Sequence, residues 1–336
     1  MPFRLVSFVL VAVASPSPER SVAPYIDAHT HYDEHDLQGS IRSARAALAH
    51  QNASAILLLT PPDTFDHPGH YDADEMIARA KPYPRELIVV GGGGTLNAMI
   101  QQVAPDAVTA RIRAQFEERA EALLRAGAAG FGEITAEHFA GGTPYQAAPA
   151  DHPLLLLLAD VAARRGVPID LHMEAVPAAM PLPARFKSPP NAPQLRENIS
   201  GFERLLAHDR GAKIIWAHAG ADGTGFRTPE LCRRLLEAHP NLYMELKVDP
   251  QNPGLNPLVQ DGAVRPEWLR LFGEFPDRFI IGSDQHYPEP PQGEQRWQAA
   301  VLLLNQLPEP VRRSIGRENV LHIYSRSFGA ADKEPK

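Results

Sequence analysis

Eight short apolar runs, with helix-like stretches between them, constrain what this chain can fold into more than any other feature. They are Tyr25–Ala28, Ala55–Leu59, Leu87–Val90, Ala129–Glu133, Pro168–Leu171, Ala212–Ala217, Leu242–Leu246 and Phe279–Gly282. Most are nearly continuous in apolar residues, as expected of parallel strands buried on both faces. Between them, Arg111–Arg125, Leu154–Arg165, Leu195–Ala207, Thr228–Ala238 and Pro266–Phe272 have helical spacing. Gly127 and Gly166 read as helix stops, and Thr228-Pro229-Glu230 as a helix start. Eight β-then-α units predict an α/β protein, a single-domain (β/α)8 TIM barrel over residues 25–328. The alternative is an open doubly wound sheet. It lacks a Gly-x-Gly-x-x-Gly turn after the first strand: Gly91–Gly94 is an uninterrupted run after the third, and reads as a backbone bend at the barrel mouth.

A chain of 336 residues can bury the core of such a barrel. With 33 basic against 40 acidic residues, net charge −7, it has no Lys/Arg stripe for a phosphate backbone, so no nucleic-acid partner is expected. The 33 prolines cluster in 177–193, 250–257 and 288–291, which read as stiffened loops. Cys232, the only cysteine, cannot form an internal disulfide and reads as buried filler in a helix.

The N-terminus differs. Arg4 precedes the apolar run Leu5 to Ala14, which ends in small residues before a Pro-rich stretch. That order predicts a secretory signal over 1–14 with cleavage near Ala14, a linker over 15–24, and an exported, periplasmic or secreted protein. An ordinary leading strand is the alternative, and would leave the protein cytoplasmic. No other apolar run approaches the ~20 residues of a membrane span. Residues 329–336 form a polar tail. A homo-oligomer is compatible with the sequence, which does not specify one.

Barrel enzymes carry their chemistry at the C-terminal ends of the strands. Those ends hold His29 and His31, Glu133, His172, His218 and Asp284. His29 and His31, spaced i and i+2, share one face of a strand, as two imidazoles gripping one ion must. A lone histidine or acid at a strand end is ordinarily a cap or loop residue. Six at corresponding ends predict a divalent metal centre of nitrogen and oxygen ligands without thiolate, with Zn2+ expected and Mn2+, Fe2+ or Co2+ also suited.

Those residues sit in the phrases IDAHTHYD, GFGEI, IDLHME, IIWAHAG, NLYMEL and FIIGSDQ. In order and spacing the chain resembles the amidohydrolase superfamily, specifically its amidohydrolase-related branch, from Tyr25 to about Phe328. The resemblance implies that His29, His31 and Asp284 hold one ion. It implies that His172 and His218 hold a second, with Glu133 as the bridge. Many members of the branch, decarboxylases among them, use one ion and lack the strand-four carboxylate; Glu133 is similar instead to the glutamate of the superfamily's metal-dependent deoxyribonucleases and some binuclear hydrolases. Strand seven ends in Glu245-Leu246-Lys247, where related chains often have an acid and a serine.

The implied activity is hydrolysis of an amide, ester or lactone in a small-molecule substrate, by water activated between two ions, with Asp284 moving the proton. A mononuclear decarboxylase or hydratase, with His218 polarising the substrate, is the nearest alternative. A phosphodiesterase and a non-catalytic exported binding protein are further ones. Substrate contacts are sought in Asp66–Tyr71, Glu137-His138-Phe139, Arg185-Phe186-Lys187 and His286-Tyr287, each equally readable as loop packing. Lys247 reads either as a contact for an anionic substrate or as a solvated loop lysine.

Overall fold

The computed structural model describes residues 24–64, 73–140, 144–250, 254–288 and 296–329. The predicted signal over 1–14, nearly all of the linker, Asp66–Tyr71 and the tail beyond Gly329 lie outside the described residues.

Strands β1 (Tyr25–Tyr32), β2 (Ala53–Leu59), β3 (Leu87–Gly92), β4 (Phe131–His138), β5 (Pro168–Met173), β6 (Lys213–Ala219) and β7 (Leu242–Leu246) pair in that order, all parallel. The eighth comes in two pieces, β8 (Phe279–Ile281) and β9 (Gln285–Tyr287), separated by Gly282, Ser283 and Asp284. β8 pairs with β7 and β9 pairs with β1, so the break is what joins last strand to first. Within it the Gly282 amide donates to Leu246 O and the Asp284 amide to His29 O at 2.8 Å. The fold is a TIM barrel, as the eight apolar runs predict.

Helices α1 (Leu37–Gln51), α2 (Asp74–Ala80), α3 (Leu96–Gln102), α4 (Ala110–Ala126), α5 (Pro153–Arg165), α6 (Ile199–His208), α7 (Pro229–Ala238) and α8 (Pro266–Glu274) fill the connections. Their starts follow the sequence: the Thr228 hydroxyl accepts from the Leu231 amide ahead of α7, and His152 caps α5 before Pro153. Strand residues facing outward, such as Ile56, Val89, Phe131, Ile169, Trp216 and Met244, pack on helix residues such as Phe116, Leu158, Phe202 and Trp268. Cys232 is buried in α7, a filler as expected.

Boundaries move where polar residues face the mouth. β1 continues to Tyr32 and β4 to His138, so His29, His31, Glu133, His172 and His218 lie within their strands and not after them. Strand four starts at Phe131 instead of Ala129, and the helix expected from Leu195 starts at Ile199, because Gln194–Leu195 pairs with Met180–Pro181.

Candidate metal centre

In β1 the side chains at 29 and 31 reach the barrel mouth together while the Thr30 hydroxyl turns away and donates to Leu57 O at 2.7 Å. Each imidazole is fixed through its far nitrogen. His29 Nδ1 lies 3.3 Å from Asp170 Oδ2, and His31 Nδ1 lies 3.3 Å from Leu59 O. Both Nε2 atoms then face the mouth. His31 Nε2 stands 3.2 Å from Asp284 Oδ1 and 3.5 Å from Glu133 Oε2; His29 Nε2 is 3.9 Å and 4.0 Å from Asp284 Oδ1 and Glu133 Oε1.

Glu133 lies between two sets of imidazoles. Its Oε2 faces His31, while Oε1 is 2.7 Å from His172 Nδ1 and 3.2 Å from His218 Nε2. All six residues predicted as ligands are buried and meet at one place. His172 differs in detail: it presents Nδ1, with its Nε2 3.8 Å from Glu174.

A layer of carboxylates beneath the histidines aims them. Asp170 backs His29, and Glu245 Oε2 accepts from the His218 amide at 2.6 Å and lies 3.1 Å from its Nδ1. Asp27 accepts from the amide and hydroxyl of Ser283, fixing the residue next to Asp284. A carboxylate behind a histidine orients the ring and raises its basicity, the usual outer support of a metal ligand. None of the three was singled out as a site residue, although Asp27, Asp170 and Glu245 stand two positions before His29, His172 and Lys247, on the same inward period. Space there is tight: a Cβ on Gly282 would come within 2.4 Å of His29 Cβ and 2.6 Å of Glu245 Oε1, so only glycine fits. His218 and Asp284 both take left-handed backbone conformations, φ 66° and 54°, which for non-glycine residues mark strain held by these surrounding bonds.

The charges are strongly coupled. Burial opposes ionisation of Glu133, but hydrogen bonds from His172 and His218 outweigh it and hold the carboxyl well below its usual range. Burial lowers His29 and His172, yet Asp170 carries the first up to about 10 and Glu133 the second up to about 8. Asp284 is likewise held ionised against burial, chiefly by Lys247, whose Nζ is 2.6 Å from Oδ2. Arg296, which the sequence did not single out, adds a second cation at 2.8 Å from the same oxygen.

Two groups of donor atoms lie close enough to share an ion: His29, His31 and Asp284, and His29, Glu133 and His218. Donors each about 2 Å from one tetrahedral ion sit roughly 3.3 Å apart, near the spacings around His31. His29 Nε2 is buried and has no hydrogen-bond partner among the described residues, while its Nδ1 is occupied. A buried nitrogen left open in this way, ringed by imidazoles and carboxylates, suits a divalent ion.

The loop candidates divide. His138 packs against His172 with ring centroids 4.3 Å apart and the rings tilted 55°, and Phe139 pairs with Phe186 at 4.4 Å. With Arg185 and Lys247 they line a cavity of about 190 Å³ opening on His172 and His218. His286 stacks on His31 on the other side, at 4.7 Å. Glu137 turns away, accepting from the Tyr145 hydroxyl at 2.8 Å, and Lys187 is exposed. Tyr287 is buried and its hydroxyl accepts from Gln51, so it is structural.

Set beside known proteins, the chain matches the family model described as amidohydrolase over residues 114–326. A search of curated proteins finds no significant match. Among solved structures it is similar to Agrobacterium tumefaciens ATU3138 in its apo form, at 12% identity and TM-score 0.52, covering 90% of this chain and 96% of that one. The amidohydrolase map2389c of Mycobacterium avium subsp. paratuberculosis K-10 aligns at 12% identity and TM-score 0.44, covering 86% and 75%. A triazine hydrolase variant aligns at 15% identity and TM-score 0.42, covering 84% and 60%. At these identities structural likeness speaks for fold alone, which the first shares. The family model covers more than half of the chain, including Glu133, His172, His218 and Asp284, and the chain belongs to the amidohydrolase family of metal-dependent hydrolases.

Proposed function

We propose that the protein hydrolyses an amide, ester or lactone bond of a small molecule at a centre of two divalent ions bridged by Glu133. One observation carries this reading: the two oxygens of Glu133 face different imidazoles, Oε2 toward His31 and Oε1 most closely toward His172 and His218, with His29 farther off at 4.0 Å. His29, His31 and Asp284 would hold the first ion, His172 and His218 the second. Zn2+ suits such donors, as do Mn2+, Fe2+ and Co2+. When bound, such ions lower the pKa of a shared water toward about 7 and polarise the oxygen that gains charge.

The chain's own part is placement and proton transfer. Asp170 and Glu245 fix the rings of His29 and His218, so the donor nitrogens are aimed before any ligand arrives. Asp284, kept ionised, accepts the proton of the attacking water and returns it to the leaving group. The neutral His138, held down to about 4 by burial, borders the substrate cavity without adding charge. We extend the reading to the cell only as the N-terminal segment suggests it: an exported enzyme.

Elemental analysis of wild type and Glu133→Ala tests the centre. Near two ions per chain, falling to one or fewer in the variant, is the expected result. Near one ion, unchanged by the substitution, would overturn the bridge and favour a mononuclear decarboxylase or hydratase that uses His218 to polarise its substrate.

A further inference from the structure

We propose that the substrate carries a carboxylate, and that Lys247 anchors it beside the centre with Arg185 at the cavity mouth. This rests on the hydrolytic reading above and adds the chemical class of the substrate.

Lys247 follows β7 two residues after Glu245, so the strand's alternation turns it inward. Its side chain is only 14% exposed, and it lines the 190 Å³ cavity that opens on His172 and His218. Burying an ammonium is costly unless it is paired. Its pairing with Asp284 Oδ2 meets that need, but Arg296 already donates to the same oxygen and to Asp284 O. One carboxylate oxygen thus faces two cations. An ammonium has three donors, and the contact with Asp284 uses one.

Two other acids share the wall with Lys247. Glu174 is committed: it accepts from the Gly223 amide at 2.8 Å and faces His172 and the cationic Arg227. Asp249 also borders the cavity, and its charge acts on Lys247 behind that of Asp284. At the mouth Arg185 donates to Asp222 O at 3.0 Å and rests on the Phe186 ring. Phe139 and Phe186, their rings tilted 50° to each other, add apolar lining to the same cavity. A small, partly apolar molecule with a carboxylate at one end and its scissile bond toward His172 and His218 meets each of these groups.

The test uses metal-loaded wild type, Lys247→Met and Lys247→Arg. Calorimetry follows benzoate and neutral benzamide, and kinetics compare 4-acetoxybenzoate with phenyl acetate. Loss of one charge-assisted contact should weaken benzoate at least ~10-fold in Lys247→Met, with benzamide unmoved and Lys247→Arg restoring most of the loss. The preference in kcat/KM for the charged ester should fall by a similar factor. Equal benzoate affinity in wild type and Lys247→Met would overturn the proposal. So would a matched loss of turnover on both esters, which would make Lys247 a prop for Asp284 alone. If no variant cleaves either ester while benzoate binding still falls, the carboxylate anchor stands and the hydrolytic reading fails.

Discussion

Along the lower half of the barrel interior the strands present Ile26, Leu57, Ile88, Ile215 and Ile280, packed with Val320 and Ile323 of the helix Asn319–Ile323 and with Tyr324. Toward the mouth, on β1, β4, β5, β6 and β7 and in the break after β8, the interior holds His29, Glu133, Asp170, His172, His218, Glu245 and Asp284, every one buried. On β6 the change takes three positions, from Ile215 to His218. Burying each aliphatic side chain below stabilises the fold by about 1.5–3 kcal/mol. Each buried charge above costs stability unless partners offset it, and the partners here are one another. The barrel is therefore stabilised from one end and equipped for chemistry at the other, which predicts that damage to each end reads out differently.

The largest effect is expected at the mouth. Asp284→Asn keeps the shape of the side chain but removes the proton acceptor, and turnover should fall by about 10²–10⁴-fold with the metal largely retained. Lys247 and Arg296 lose their anionic partner in this variant, so some loss of stability should accompany the loss of turnover. Kinetics with metal analysis on the same sample checks this; turnover within ~10-fold of wild type would remove Asp284 from the proton path. At the floor the pattern inverts. Ile215→Ala leaves a cavity among residues that cannot collapse onto it and should cost about 2–5 kcal/mol in denaturant unfolding. Metal content and activity per folded molecule should stay near wild type. A fall in metal content of that variant would mean the two ends are not separable.

The same division explains what was legible in the sequence. The lower strands announce themselves as apolar runs, because both their faces are buried. The mouth ends do not: Thr135 and Glu137 extend β4 well past the apolar stretch, and polar residues there read as loop. The six residues of the centre were visible because they recur at corresponding strand ends. Asp27, Asp170 and Glu245 lie inside the apolar runs, and only their period-two offset from His29, His172 and Lys247 points to the mouth. Arg296 gives no local signal, since it stands at the start of Trp297–Gln306 and reaches Asp284 only through the fold. The orientation of His172, with Nδ1 toward Glu133, is likewise a matter of packing.

The smallest effect is the one that isolates the electrostatics of the mouth. In protein stripped of metal, His172 has its pKa raised to about 8: burial works against it, but Glu133 and Glu174 outweigh burial. Its unfolded value is about 6.5. Between these values the folded chain binds more protons than the unfolded chain, so stability falls as pH rises. The contribution, about 2 kcal/mol, is fully present below pH ~6.5 and lost as pH rises through about 8. His29, raised to about 10, extends the fall upward. Other shifted groups act mostly at the edges of this window: Asp27 and Glu137, raised to about 7, add to the fall near pH 7, Cys232, raised to about 12, adds to it near pH 9, and His138 and His286, lowered to about 4, complete their rise near pH ~6.5. Thermal unfolding between pH 7 and 9 should therefore show the chelated protein losing stability while the metal-loaded protein holds or gains, because ligation needs neutral imidazole and releases protons. Ile215→Ala should displace both curves downward without changing their slopes. A chelated curve flat over that range would mean that His172 and His29 do not carry the extra protons, and that the mouth is balanced in some way other than by its carboxylates.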